Sequence, residues 1–393
     1  TEFGFESNTQ ESRRFWAADT NTGKNNNNKP VAEWGMSQGS KWQLSNVLNY
    51  NFMLNDEHDF RLMIGQEIKS SKSSSKSYTT RYFPENTTAE KAFDNLSLGT
   101  AYQNSSSAGS PSRISSFFGR INYGYKDRYL ATLTLRADGS SKFASGNRWG
   151  FFPAAAIAWR MSNEDFLKDN PVVSNLKLRL SFGTSGNDRI GSDLYHKLYG
   201  ISSTRPAGWE ETSRYYYKFY NTDYLYNPDV KWETTITRNL GFDFGFFKER
   251  LSGSVDLYWN TVKDLLVPSD IPGYTGYTKI MKNVGQTSNR GIELSLTGYI
   301  IDRPDFTLNA TFNIGHNKNK IDKLASGEKE WILSSGWAGN ELLNTDDYRA
   351  YVGGTSGLIY GFINDGFYTV DDFEYFDSAS RTWHLKKGVV DSS

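Results

Sequence analysis

The side chains best able to hold a ligand are flat aromatics crowded into two stretches. Trp209, Tyr215, Tyr216, Tyr217, Tyr220, Tyr224 and Tyr226 lie in one, Trp331 and Trp337 in another. Aromatic faces stack on sugar rings, and tyrosine hydroxyls bond polar substrates. The competing reading is that these residues pack loops, or join an aromatic girdle where a membrane surface meets the protein. Covalent chemistry has no comparable constellation. The chain has no cysteine, which excludes disulfides, thiolate metal sites and cysteine nucleophiles. His58, His196, His316 and His384 are scattered without metal-ligand spacing. No nucleophile elbow, zinc-protease helix or phosphate loop is present. The acidic doublets Asp346-Asp347 and Asp371-Asp372 read as solvated loop rather than calcium ligands. No catalytic, cofactor-binding or metal site is therefore assigned. Lys plus Arg and Asp plus Glu both number 44, and this balance gives no support to nucleic acid as a partner.

The elements that must position these aromatics are strands. Phe117, Gly119, Ile121, Tyr123 and Tyr125 share one face, and Phe118, Arg120, Asn122 and Gly124 the other. After a Lys126-Asp127-Arg128 turn, Tyr129, Ala131, Leu133 and Leu135 alternate with Leu130, Thr132, Thr134 and Arg136. Leu176, Leu178, Leu180 and Phe182 against Lys177, Arg179, Ser181 and Gly183 repeat the pattern, as do Leu240, Phe242, Phe244 and Phe246 against Asn239, Gly241, Asp243 and Gly245. The hairpins over residues 232–261 and 292–314 continue it, and about ten such strands are legible by periodicity.

Residues 70–77 (SSKSSSKS) read as a mobile low-complexity loop continuing to about Pro111. Ser162 reads as the cap of a short helix ending before Pro171. Beyond Asn317, only Leu358 to Phe367 looks strand-like. Trp149, Trp159, Trp232 and Trp259 sit near strand ends or on apolar faces and read as girdle or lipid-facing residues.

From residue 55 onward the connections alternate between short and long, with residues 161–175 on the short side. Outer-membrane barrels keep this parity because periplasmic turns are short and extracellular loops long, whereas a soluble sandwich has no reason to. Many strands exceed nine residues, enough to cross a bilayer at a tilt. No apolar run is long enough for a membrane helix, and a mean hydropathy of −0.62 suits strands with polar residues at alternate positions. Lipid cannot satisfy polar groups, so the apolar faces point outward. Arg120, Lys177, Arg179, Asp243, Asp256 and Glu293 then face the lumen. The fold class is all-β: an antiparallel transmembrane β-barrel, part of a large plugged barrel of about 22 strands. The chain opens at Thr1 without a leader and stops at Ser393 without a strand-like ending, so residues 1–393 are expected to be a partial barrel domain.

Particular residues carry a resemblance. Ser116 to Arg120, Arg136, Asp138 to Ser141, Asn147 to Gly150, Phe152-Pro153, Trp159-Arg160 and Leu176 to Asn187 follow one family's order, and Pro272 to Leu294 is a second match. This pattern resembles the barrel of SusC-like (RagA-like) TonB-dependent outer-membrane transporters. The resemblance implies import of a bulky nutrient, a glycan or an oligopeptide, across the outer membrane of a Gram-negative bacterium. It implies energy from the TonB complex through the plug, a SusD-like surface lipoprotein as partner, and outer-membrane lipid around the barrel. It also implies that a plug domain, an N-terminal region and the terminal strands lie outside residues 1–393. The alternatives are a passive porin-like or adhesive barrel and a soluble all-β carbohydrate-binding protein.

Overall fold

The computed structural model describes residues 1–196, 200–201, 217–218, 224–325, 328–333, 347–361 and 367–389. In chain order the strands are β1 Glu2–Trp16, β2 Val31–Leu54, β3 His58–Arg81, β4 Thr100–Ala108, β5 Ser112–Tyr125, β6 Tyr129–Ser140, β7 Trp149–Arg160 and β8 Val173–Asn187. Next come β9 Gly200–Ile201, β10 Tyr217–Lys218, β11 Tyr224–Leu225, β12 Glu233–Phe246, β13 Leu251–Lys263, β14 Leu266–Asp270 and β15 Lys279–Asn283. The last are β16 Gln286–Arg303, β17 Phe306–Lys323, β18 Glu330–Leu333, β19 Tyr348–Tyr351, β20 Leu358–Ile359, β21 Phe373–Asp377 and β22 Thr382–Leu385.

Two units partition the chain. One comprises Thr1–Lys329 with Val352–Thr355, the other Glu330–Tyr351 with Ser356–Ser393. The first is built on an antiparallel sheet in the order β1-β2-β3-β5-β6-β7-β8-β12-β13-β16-β17, with β4 added beside the far half of β3. Every strand on this path pairs with its sequence neighbour within the sheet, an up-and-down meander. The second unit holds the small sheets β18-β19-β20 and β21-β22.

Connections 55–57, 126–128, 161–172, 247–250 and 304–305 lie at one end of the meander, and 17–30, 82–111, 141–148, 264–285 and the link from Asn187 to Glu233 start and finish at the other. The tight turns use left-handed backbone. Asn55 and Asp56, and Lys126 and Asp127, all have positive φ near 50–55°, the primed geometry whose twist matches the flanking strands.

The sheet inverts the usual burial rule. Its large apolar side chains are exposed, among them Phe151 at 75%, Phe3 at 67% and Ile64 at 61%. Well-buried apolar residues form two small clusters at the long-loop end: Phe143, Phe152, Ile190, Val230 and Trp232 in one, Ala32, Phe83 and Ala92 in the other. The strands therefore have no second layer covering their apolar face.

Four expectations need correction. The Ser70–Ser77 tract is strand, not mobile loop: it pairs with β2 throughout, and from Ser74 also with β4. At 24 residues each, β2 and β3 are about 80 Å long, far more than the 9–11 residues a membrane strand needs. Their far halves are held by ladder bonds on both sides, so no hydrophobic alternation marks them. Ser162 does not cap a helix. Met161–Asn163 is a 3₁₀ turn entered from Arg160 without a side-chain cap, followed by one α-turn closed by the Lys168 N–H on the Glu164 carbonyl at 2.9 Å. Within 358–367, only Leu358–Ile359 is strand, and 362–366 lie outside the described residues. Trp232 is no girdle residue but is buried at 9% exposure.

Candidate functional site

The polar face of the sheet carries an ion cluster built across three strands, in line with a carboxylate on a fourth. Register aligns Arg179 of β8, Gly241 of β12, Asp256 of β13 and Glu293 of β16 in one row. Arg179 donates to both Asp243 oxygens at 2.7–3.1 Å, and from the same guanidinium to Asp256 at 3.1 and 3.2 Å. Asp256 is two strands away, so the arginine must lie flat across the strand between, at a spacing of about 4.8 Å per strand. Gly241 is what it crosses: a Cβ there would stand 2.5 Å from Arg179 Cζ. Lys177 Nζ adds a longer contact to Asp243 at 3.9 Å. Glu293 is in register with Asp256 and has no ion-pair partner among the described residues. Arg120 stands apart, its Nε donating to the Thr134 hydroxyl at 3.1 Å.

The crossing recurs. Tyr258 of β13 passes over Gly291 of β16 to donate to Asn317 Oδ1 of β17 at 3.2 Å. A Cβ on Gly291 would meet the Tyr258 hydroxyl at 2.5 Å. Phe118 of β5 lies over Gly65 of β3, where a Cβ would meet its ring at 2.4 Å. Glycines on this face thus let long side chains lie flat and tie second-neighbour strands together.

Toward the long loops the same face becomes an anchoring platform. Arg136 Nε donates to both Asp138 oxygens at 2.9 Å, its Nη2 donates to the fully buried Ser116 hydroxyl at 3.0 Å, and its Nη2 is 3.7 Å from Glu67. The next residues of the DGSS run staple loops. The Ser140 hydroxyl donates to Asp188 at 2.7 Å, and Lys142 Nζ donates to the Asp188 carbonyl at 2.9 Å. Phe143 packs on Trp232 with ring centroids 5.4 Å apart, Phe152 packs on it at 5.5 Å, and Trp232 Nε1 donates to the Arg148 carbonyl at 2.8 Å. Glu233 closes the arrangement, accepting from Asn187 Nδ2 at 3.0 Å and the Leu266 N–H at 3.1 Å.

At the opposite end the Trp159 indole donates to Glu164 at 2.9 Å, and Arg128 bridges Glu164 and Asp165 at 3.0 and 2.5 Å. A hydrogen bond from the Tyr129 hydroxyl is the largest influence holding the Glu164 carboxyl below its ordinary range, followed by the Trp159 indole, with Arg128 adding to it.

Of the nine loop aromatics, four fall within the described residues. Trp209, Tyr215, Tyr216, Tyr220 and Trp337 lie outside the described residues. Tyr217 falls in β10, paired with Ile201. Tyr224 falls in β11, in parallel register with Lys279 of β15. Tyr226 is 42% exposed, and Trp331 belongs to β18 in the second unit. Asp372 serves its own turn, accepting from the Thr369 N–H at 2.6 Å and the Thr369 hydroxyl at 2.9 Å, which holds its carboxyl low.

The family described as TonB dependent receptor-like, beta-barrel matches residues 2–388. The chain belongs to this TonB-dependent receptor barrel family. It is 41% identical over 219 residues to the TonB-dependent receptor SusC of Bacteroides thetaiotaomicron, covering 54% of this chain and 21% of that protein. It is 33% identical over 333 residues to the TonB-dependent receptor P3 of Formosa agariphila, covering 84% of this chain and 32% of that one. Among solved structures, the RagAB peptide transporter superposes with a TM-score of 0.72 at 23% identity, covering 89% of this chain and 36% of that chain. The RagAB peptide importer in its open-open state gives 0.71 at 24% identity, with 85% and 35% covered. This chain thus spans about a third or less of the receptors it matches. It is the β-barrel region of an outer-membrane TonB-dependent receptor, similar to SusC in sequence and to the RagAB structures in fold.

Within that receptor barrel, the segments Ser116 to Arg120, Asp138 to Ser141, Asn147 to Gly150 and Leu176 to Asn187 supply Ser116, Asp138, Ser140, Arg148, Lys177 and Arg179 to the loop-anchoring and ion-cluster networks. Period-two reading put Arg179, Asp243 and Asp256 on one face but did not join them. The signal available was glycine at the same parity on the intervening strand. The Arg136–Asp138–Ser116 network was missed as a unit, because Ser116 and the nearby Glu67 come from other strands and join Arg136 only through register.

Proposed function

We propose that the chain forms part of the wall and the extracellular loops of an importer that carries a bulky nutrient, a glycan or oligopeptide, across the outer membrane. The carrying observation is the chemistry of the two sheet faces. One exposes rows of Phe, Leu and Ile and suits lipid. The other pairs Lys177, Arg179, Asp243 and Asp256 within itself and is flattened by glycine, which suits a wide lumen holding water and a second body. In this reading Arg120, Lys177, Arg179, Asp243, Asp256 and Glu293 face a plug domain through which the TonB complex supplies energy. The substrate-contacting set is Trp209, Tyr215, Tyr216, Tyr217, Tyr220, Tyr224, Tyr226, Trp331 and Trp337, under a SusD-like lipoprotein acting as lid.

The test is purification of the native gene product from an outer-membrane fraction, paired with nutrient uptake in cells with and without functional TonB. The reading expects a product far heavier than this chain's 44.6 kDa, a co-purifying surface lipoprotein, and uptake that stops without TonB. Uptake that continues without TonB supports a passive barrel instead.

A further inference from the structure

The exposed apolar face is not apolar to its end. Arg238, Trp259, Arg290 and Lys318 stand in one register row across β12, β13, β16 and β17. Their parity is that of Phe242, Val255, Leu294 and Ile314, so they rise from the face proposed to meet lipid. Lys320 follows one row nearer the long loops. Together these basic side chains border a recess of about 410 Å³ floored by Trp259, Thr261 and Ser288.

Compensation is sparse. Among the described residues, Arg238 Nη1 donates only to the Thr261 hydroxyl, at 3.4 Å. Asp322, displaced by a register shift at the start of β16, accepts from Ser288 at 3.0 Å and Gln286 at 3.3 Å and lies 4.0 Å from Lys320. Arg238, Arg290 and Lys318 have no carboxylate within ion-pair distance among the described residues. The same face of β5, β6 and β7 carries Phe117, Ile121, Leu133, Leu135, Phe151 and Ile157, with Arg113 at the long-loop start of β5 as its one charge, so a row of several cations is particular to β12–β17.

Depth gives the row a meaning. Arg238 is eight residues from Phe246 at the short-turn end, about 27 Å along the strand. At a tilt of about 45° that is about 19 Å of height, close to the upper edge of an apolar band about 25 Å tall. Long basic side chains there reach the headgroup level, on the long-loop side of the barrel. The exposed indole of Trp259 suits the same level.

We propose that this row binds the phosphate of an outer-leaflet lipid headgroup, whose acyl chains lie on the Leu240, Phe242 and Phe244 face below. The proposal rests on that face being outward. It is tested with the full-length receptor in nanodiscs of phosphatidylcholine carrying either phosphorylated lipid A or its dephosphorylated form, with retained lipid measured by native mass spectrometry. The expected result is preferential retention of the phosphorylated lipid. Replacing three charges by Arg238→Gln, Arg290→Gln and Lys318→Gln should weaken it about 100-fold. Arg290→Lys, which keeps the charge, should retain it. Equal retention by the triple variant or indifference to the lipid's phosphate would each overturn the site. A label at Phe244→Cys that is not quenched by lipid would instead show that the face is not outward, a separate failure.

Discussion

Gly241 offers a sharp test of the crossing geometry. Arg179 reaches Asp256 only by lying over this residue, and a methyl there would stand 2.5–2.6 Å from the guanidinium carbon and nitrogens. Gly241→Ala should push the guanidinium off Asp256 while leaving Asp243 reachable. A charge-assisted hydrogen bond contributes about 1.5–3 kcal/mol when well shielded. The Arg179 and Asp256 side chains are 31% and 22% exposed, so screening reduces the coupling to about 1 kcal/mol. Alanine also removes the entropic cost of glycine in a strand, about 0.5–1 kcal/mol in the opposite direction. The raw stability change is therefore small and uninformative, and a double-mutant cycle is needed. Arg179→Met and Asp256→Asn, singly and together, would be measured by urea unfolding of the full-length barrel in lipid vesicles. The cycle would then be repeated with Gly241→Ala. The coupling should be about 1 kcal/mol with glycine and near zero with alanine. Equal coupling in both backgrounds refutes the reasoning.

Trp232→Ala should cost about 3–5 kcal/mol, whereas Trp232→Phe should lose mainly the bond to the Arg148 carbonyl, about 1 kcal/mol; denaturant midpoints with unchanged slope would check both. Because Glu164 has a lowered folded pKa, its stabilising contribution is complete above the unfolded value near 4.5 and disappears as pH falls through the folded value. Glu164→Gln should remove that part of the acid sensitivity, and a pH–stability profile unchanged by the substitution would contradict the assignment. Backbone amides of Ser70–Ser77 should exchange slowly with deuterium because ladder bonds hold them; loop-like exchange in mass spectrometry would show that β3 ends earlier.

The sequence by itself determined the face of every strand that crosses the apolar band. Period-two alternation is local, so Leu240 to Phe246 and Leu176 to Phe182 could be assigned without knowing their neighbours. Turn chemistry and loop parity then fixed the meander order. Three things needed tertiary structure. The far halves of β2, β3 and β4 lie where no hydrophobic demand writes a pattern, so Ser70–Ser77 looked like loop until its pairing was seen. Trp232 looked like a girdle residue because its type suits one, and only the packing of Phe143, Phe152, Ile190 and Val230 around it buries it. Register decided the rest. Whether Arg179 meets Asp256, or Arg238 shares a row with Arg290 and Lys318, depends on alignment between strands distant in sequence, and a one-residue slip would turn either set to the opposite face.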